Sequence, residues 1–148
     1  MATQGTQCSS RLEYASRKPI LHSLLFRIDV KDYGHLMQVE KLELQGVPAL
    51  KIIGEIDLHA SPQLRELAHE CLEQRCTQLV IDMSEVDYID SSGLAVLIEY
   101  IREAQSFGGK LGLFGLSDKV LSIFRLVGLD KFFVLEETLE ATLARLGN

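Results

Sequence analysis

The short polar stretch Asp90-Ser91-Ser92-Gly93 contains the residue types in this 148-residue chain that most readily suggest chemistry. Serine hydroxyls are the nucleophiles of many hydrolases. The Gly-x-Ser-x-Gly elbow of such enzymes is missing here, however, and the four histidines show no triad pattern. Segment 90–93 is therefore not predicted to be catalytic, and we expect that the protein is not an enzyme.

Segment 90–93 also has the pattern of a helix start. Asp90 is a good N-cap candidate, and Ser91 and Ser92 would then be the first helical residues. Gly93 would leave the backbone uncrowded, so that another protein could approach closely. Segments that follow strands in α/β sheets commonly carry function. From residue types alone, an ordinary helix cap is nevertheless the favoured interpretation.

The neighbouring pattern predicts the elements that position this segment. The predicted strands are a hairpin over 38–56, a buried run at 78–83, and runs at 110–115 and 132–135. Predicted helices begin at Ser61-Pro62, with Ser61 as N-cap, and at Ser91, Ser117 and Thr138. A loop is expected over 84–90. Strands that alternate with helices indicate an α/β fold with about five strands, several of them parallel, and about four helices.

Residues 1–36 differ from the remainder in composition and charge. They carry a net charge of +2, against −8 for residues 37–148. The prediction is an N-terminal extension over 1–36, partly disordered or contributing an extra strand at 24–30, followed by one domain over 37–148. Translation beginning at Met37 is an equally open interpretation. An acidic domain argues against nucleic-acid binding and is compatible with a basic protein partner.

The apolar runs and the cysteines indicate in which cellular compartment the protein is expected. No apolar run approaches the ~20 residues of a membrane helix, so no membrane insertion is expected. The N-terminus has no stretch of signal-peptide type, and a cytoplasmic location is predicted. The odd cysteine count, with Cys8, Cys71 and Cys76, does not suggest a disulfide framework. Ordinary thiols are predicted, with Cys71 in a helix core.

Three motifs within residues 38–147 resemble those of STAS domains, and most of all those of bacterial anti-sigma-factor antagonists. The first is Asp90-Ser91-Ser92-Gly93-Leu94, which corresponds to the family's phosphorylation motif. The others are Gly54-Glu55-Ile56-Asp57, and a Gly-Gly-strand-helix unit that ends at Leu126-Val127-Gly128-Leu129. The motifs are specific in combination and weak singly, and residues 1–36 lie outside the resemblance. The resemblance implies a STAS-like mixed sheet.

The same resemblance implies a switch rather than a catalyst. Ser91 would be phosphorylated by an anti-sigma-factor serine kinase, with Ser92 as the lesser candidate. The kinase would also bind the unphosphorylated form and thereby release the sigma factor, and a PP2C-type phosphatase would reset the switch. No metal or other cofactor is implied. The partner-binding residues implied are Asp57, His59, Asp90, Ser91, Ser92 and Gly93.

Other interpretations of the sequence remain. Within the family, the chain could be a stressosome-like scaffold or a regulatory subunit of a lipid transporter, and nucleotide binding is a further possibility. Outside it, Val80-Ile81-Asp82 imitates the phospho-accepting aspartate of a receiver domain, but the early acidic pair is missing. The acidic residues of 82–90 lack the spacing of a calcium loop. A solvated acidic loop is the favoured interpretation of that stretch, which contains Asp82, Glu85, Asp87 and Asp90.

Overall fold

A computed structural model describes residues 37–147, which form one sheet of five strands with four α-helices. The strands are β1 (Gln38–Leu44), β2 (Val47–Ile56), β3 (Gln78–Ile89), β4 (Lys110–Phe114) and β5 (Val134–Glu136). The helices are α1 (Ser61–Glu73), α2 (Ser91–Ala104), α3 (Asp118–Leu126) and α4 (Leu139–Gly147). The predicted α/β class and element order are confirmed. The possible strand at 24–30 lies outside the described residues.

The strand order β1-β2-β3-β4-β5 places the ends of three neighbouring strands together. β1 and β2 form the predicted antiparallel hairpin, and every other neighbouring pair is parallel. The chain leaves β2, β3 and β4 at the same side of the sheet, which we call the carboxyl edge. α1, α2 and α3 all begin there. Because Gln38 pairs with Ile53 near the end of β2, β1 also begins at this edge.

Apolar residues cover both faces of the sheet. The larger cluster joins the sheet to the first three helices through residues such as Leu64 of α1, Leu97 of α2 and Phe124 of α3. A smaller cluster on strands β2 and β3 includes Leu146 of α4. The result is a three-layer arrangement, in which the sheet lies between α1, α2 and α3 on one face and α4 on the other.

β3 is longer than predicted. The sequence predicts a loop over 84–90, but the strand continues to Ile89, so that prediction is wrong. The pairing of β3 with β2 shifts register twice, between Lys51 and Ile53 and between Gly54 and Glu55. These irregularities break the period-two pattern that identifies a strand. The polar residues of this stretch consequently look like a loop in the sequence.

α1 begins without the predicted side-chain cap. Ser61 is the first helical residue instead of the N-cap, and its hydroxyl donates to the carbonyl oxygen of Leu58 at 3.2 Å. The N-cap position belongs to Ala60. The carboxylate of Asp57 orders the approach to the helix, as described below, so a serine cap is not needed.

The other boundaries differ only in detail. The helix predicted from Ser91 is α-helical to Ala104 and ends in a 3₁₀ turn, Gln105–Phe107, and β5 begins at Val134 instead of residue 132. Cys71 was predicted in a helix core and is only partly buried, although it packs against the core. Among the described residues, no helix combines the length and apolar character needed to cross a bilayer.

Candidate functional site

Asp90 is the N-cap of α2, as the sequence predicts. Its backbone is extended, and its carboxylate accepts hydrogen bonds from the backbone N–H groups of Ser92 at 2.8 Å and Gly93 at 3.1 Å. The hydroxyl of Ser92 donates to the same carboxylate. Two of the backbone donors that a helix start leaves free are thus satisfied by one side chain.

Asp90 also joins the start of α2 to the end of β2. Its backbone N–H donates to the carbonyl oxygen of Ile56 at 3.1 Å, and the backbone N–H of Leu58 lies near its carboxylate. Partial burial acts to raise the pKa of Asp90. The hydrogen bonds from the Ser92 hydroxyl and from the N–H groups of Gly93, Ser92 and Leu58 outweigh burial, and the pKa lies below its ordinary value. The carboxylate is therefore ionised at neutral pH.

The two serines of the site have different surroundings. Ser91 is the first residue of α2 and is exposed. No residue within 37–147 forms a hydrogen bond with its hydroxyl. Ser92 is partly buried, and its hydroxyl is committed to Asp90. A modifying enzyme would find the Ser91 hydroxyl accessible, whereas the Ser92 hydroxyl must first leave the cap.

Gly93 packs inside the fold. A Cβ atom at this position would lie 2.7 Å from Cγ2 of Ile56, 2.8 Å from Cγ1 of Ile89 and 2.9 Å from the Ile56 carbonyl oxygen. The expectation of an uncrowded backbone that a partner approaches directly is therefore wrong. The glycine is needed so that α2 can begin in contact with the end of β2.

The segment after β2 lies beside the start of α2. The Asp57 carboxylate accepts from the backbone N–H groups of His59 at 2.9 Å and Ala60 at 3.0 Å, and so holds the turn that leads into α1. His59 is exposed. The structure thus brings Asp57 and His59 to the same edge as segment 90–93, linked by the hydrogen bond from the Asp90 N–H to the Ile56 carbonyl oxygen.

Two exposed apolar residues at this edge were missed by the sequence analysis. Leu58 is 67% exposed, and its backbone N–H lies near the Asp90 carboxylate. Tyr88, near the end of β3, is partly exposed, and the Lys119 ammonium lies 5.6 Å from the centre of its ring. The only sequence signal for Leu58 is an apolar side chain between Asp57 and His59 in a turn without periodicity. Tyr88 lay in the stretch that was predicted as a loop.

The acidic residues near the end of β3 have partners of their own. The Asp82 carboxylate accepts from the Ser84 backbone N–H at 2.9 Å, and Glu85 pairs with Lys51 at 2.8 Å. Across residues 37–147, no group of three His, Cys, Asp or Glu side chains is arranged to hold a metal ion. A cleft of about 340 Å³ between α3 and β5 is lined by residues such as Arg125 and does not include segment 90–93.

Sheet order, capped α2 start and sequence motifs agree with one family. The family model described as "STAS domain" matches residues 38–144, and the chain belongs to that family. Among the similar proteins, several carry the name anti-sigma-B factor antagonist, including one from Listeria monocytogenes and one from Bacillus subtilis. The protein from Listeria monocytogenes is 35% identical over 79 residues, 53% of this chain and 69% of its own length. The protein from Bacillus subtilis is 36% identical over 80 residues, 54% of this chain and 72% of its own length.

A solved structure gives the same result for the fold. The crystal structure of an anti-sigma factor antagonist from Mycobacterium paratuberculosis superposes with a TM-score of 0.69 and 26% identity, covering 82% of this chain and all of that one. The STAS-like mixed sheet that the sequence predicts is therefore confirmed.

Proposed function

We propose that this protein is an anti-sigma-factor antagonist that works by partner switching. The unphosphorylated form binds an anti-sigma-factor serine kinase and so releases the sigma factor. Phosphorylation of Ser91 blocks that binding, and a PP2C-type phosphatase restores it. The observation that carries the proposal is the exposed, uncommitted hydroxyl of Ser91 at the start of α2. The names of the two relatives at 35% and 36% identity support it.

The start of α2 can accept a phosphate without unfolding. Phosphorylation adds about −1.5 to −2 charges at neutral pH. The first turn of α2 contains no acidic residue, and the positive end of the helix dipole favours an anion there. Because Asp90 already accepts from the N–H groups of Ser92 and Gly93, the phosphate does not replace the cap. It remains at the surface, next to a carboxylate.

The phosphate blocks the partner because it changes the surface that the partner must cover. Leu58 provides an exposed apolar contact beside Asp90, and Ser91 adds a small neutral hydroxyl. A partner that covers both would have to desolvate a dianion after phosphorylation, at a cost of about 2–5 kcal/mol. Asp57 and His59 complete the contact surface from the other side. The net charge of −8 over residues 37–148 favours a basic partner.

The proposal is tested by site mapping and binding together. The full chain is incubated with ATP and an anti-sigma-factor serine kinase from the same genome, and fragment-ion mass spectrometry locates the phosphate. We expect label on Ser91, and isothermal titration should show that the phosphorylated chain binds the kinase far more weakly than the unphosphorylated chain. A thermal melt of both forms checks that the fold is retained.

Matched variants separate the two serines. Ser91→Ala should bind the kinase and remain unlabelled, whereas Ser92→Ala should still be labelled at Ser91, with some loss of stability because its hydroxyl donates to Asp90. Label that persists in Ser91→Ala would contradict the assignment. So would equal kinase affinity of the phosphorylated and unphosphorylated chains.

A further inference from the structure

The turn that joins α1 to β3 brings two cysteines together. The backbone N–H of Cys76 donates to the carbonyl oxygen of Cys71 at 3.1 Å, and the N–H of Arg75 donates to that of Leu72 at 3.0 Å. Arg75 has a left-handed backbone with φ of 52°. This pair of hydrogen bonds around a left-handed residue is the Schellman motif, in which the two side chains at the positions of Cys71 and Cys76 meet.

The side chains do meet, thiol to thiol. The Cys71 thiol shares a hydrogen bond with the Cys76 thiol. That hydrogen bond and burial raise the pKa of Cys71 above its ordinary value, so the Cys71 thiol is mostly protonated at neutral pH. Cys71 is partly buried, and Cys76 is 0% exposed. The two thiols are therefore neighbours, and Cys71 is the more exposed residue of the pair.

We propose that Cys71 and Cys76 form a disulfide by exchange with a low-molecular-weight disulfide such as oxidised glutathione. The small deprotonated fraction of Cys71, the more exposed thiol, attacks one glutathione sulfur, breaks the glutathione S–S bond and releases one reduced glutathione. The Cys76 sulfur then attacks the Cys71 sulfur and releases the second. Two protein thiols become one disulfide, and the two electrons and two protons pass to glutathione.

The Schellman motif suits disulfide formation because its backbone hydrogen bonds already hold Cys71 and Cys76 close together. Disulfide formation requires the two sulfurs to close to about 2.05 Å, which is possible without backbone rearrangement only where the Cα atoms are already near. A Schellman turn fixes that proximity through backbone hydrogen bonds. The new bond would tie the last turn of α1 to the start of β3. We expect it to resist unfolding of this turn.

The cysteine pair is remote from Ser91. Cys76 precedes β3, whereas Ser91 follows it, and a 12-residue strand is roughly 40 Å long. The disulfide proposal is therefore independent of the proposed function. Phosphorylation of Ser91 should proceed equally in the oxidised and reduced proteins.

The test uses the full chain with Cys8→Ser, so that only this pair remains. The folded protein is equilibrated with oxidised glutathione, free thiols are alkylated, and the protein is digested with trypsin without reduction. Cleavage after Arg75 separates peptide 66–75, with Cys71, from peptide 76–102, with Cys76. We expect the two peptides to be recovered joined, with the intact mass reduced by two hydrogen atoms and a raised melting temperature.

Single variants test the order of the two steps. With Cys76→Ser in the same background, the reaction should stop at glutathione bound to Cys71. With Cys71→Ser, the buried Cys76 should react at least tenfold more slowly. Recovery of two free thiols, or of only a glutathione adduct in the parent protein, would overturn the proposal. Equal reaction rates in the two single variants would overturn the order of attack.

Discussion

The starts of α2 and α3 are two versions of one structural unit. Each helix follows a parallel strand at the carboxyl edge, and each has an extended N-cap whose side chain accepts from the third helical residue. Asp90 accepts from Gly93 at 3.1 Å, and the Ser117 hydroxyl oxygen accepts from Val120 at 3.3 Å. Capping is therefore shared by both sites and does not itself indicate a switch.

The first helical residue distinguishes the two starts. α3 has Asp118 there, a permanent carboxylate at the positive end of its dipole. α2 has the neutral Ser91 at the same position and no acidic residue in its first turn. Phosphorylation would give α2 reversibly the negative charge that α3 carries permanently. The comparison suggests that a phosphorylation switch site is a helix start that lacks the acidic residue favoured by the helix dipole.

The largest expected effect is that of an acidic residue at the first position of α2, where α3 has Asp118. Ser91→Asp should weaken binding of the anti-sigma-factor kinase by roughly 30-fold or more, since burying a charge at an interface costs about 2 kcal/mol or more. The fold should remain intact, because an acidic residue suits this position by about 0.3–1 kcal/mol. Titration calorimetry measures the first effect and a thermal melt the second.

The reverse exchange is the control for that variant. Asp118→Ser should leave kinase binding unchanged and lower stability by about 0.3–1 kcal/mol, through the loss of a favourable charge at the α3 dipole. Wild-type binding by Ser91→Asp, or its failure to fold, would break the comparison between the two helix starts.

The third helical residue should give the next largest effect. Gly93→Ala should destabilise the protein by about 1–3 kcal/mol, because the added methyl group meets Ile56 and Ile89 at less than 3 Å. In an open helix the same change would stabilise by up to about 1 kcal/mol.

Val120, at the equivalent position of α3, is fully buried, and Val120→Ala should cost about 2 kcal/mol by removing apolar contacts. Urea unfolding measures both; a stabilising Gly93→Ala would show that α2 does not need this close approach.

The caps themselves should differ in strength. Asp90→Ala should cost about 1–2 kcal/mol and Ser117→Ala about 0.5–1 kcal/mol. The reason is that Asp90 accepts from two backbone N–H groups, those of Ser92 and Gly93, whereas Ser117 accepts from one. Urea unfolding of the two variants side by side checks the order. Equal losses would mean that the second backbone hydrogen bond to Asp90 adds nothing to stability.

The smallest expected effect is a dependence on pH. Because the folded pKa of Asp90 is depressed, its charge stabilises the protein fully above the ordinary value of 3.8. This contribution is lost as the pH falls through the lower folded value. Asp90→Asn keeps a capping oxygen without the charge, so its stability should approach that of the wild type only in that acidic range. A constant difference between the two proteins from pH 7 to pH 2 would contradict the shift.

Local signals explain what could be predicted from the sequence. Helix periodicity and cap chemistry act over a few residues, which is why the element order and the Asp90 cap were predicted correctly. β3 was cut short because its register shifts against β2 cannot be seen in one strand alone. The cap predicted at Ser61 failed because Asp57 organises the same turn from outside the helix.

Contacts between distant segments explain the rest. The role of Gly93 depends on Ile56, and the position of Leu58 depends on Asp90. Both contacts arise only when β2 and β3 pair, and no local sequence pattern indicates them. The candidate site residues were therefore proposed from their motif, whereas the surface around them required the structure.

The hydrogen bond from the Asp90 N–H to the Ile56 carbonyl oxygen has a consequence for quality control. An unfolded chain has the same sequence around Ser91 but does not place Leu58 beside it, because that arrangement requires paired β2 and β3. A partner that contacts both residues distinguishes finished molecules from incomplete ones. Newly made or damaged chains would then not bind such a partner until β2 and β3 have paired.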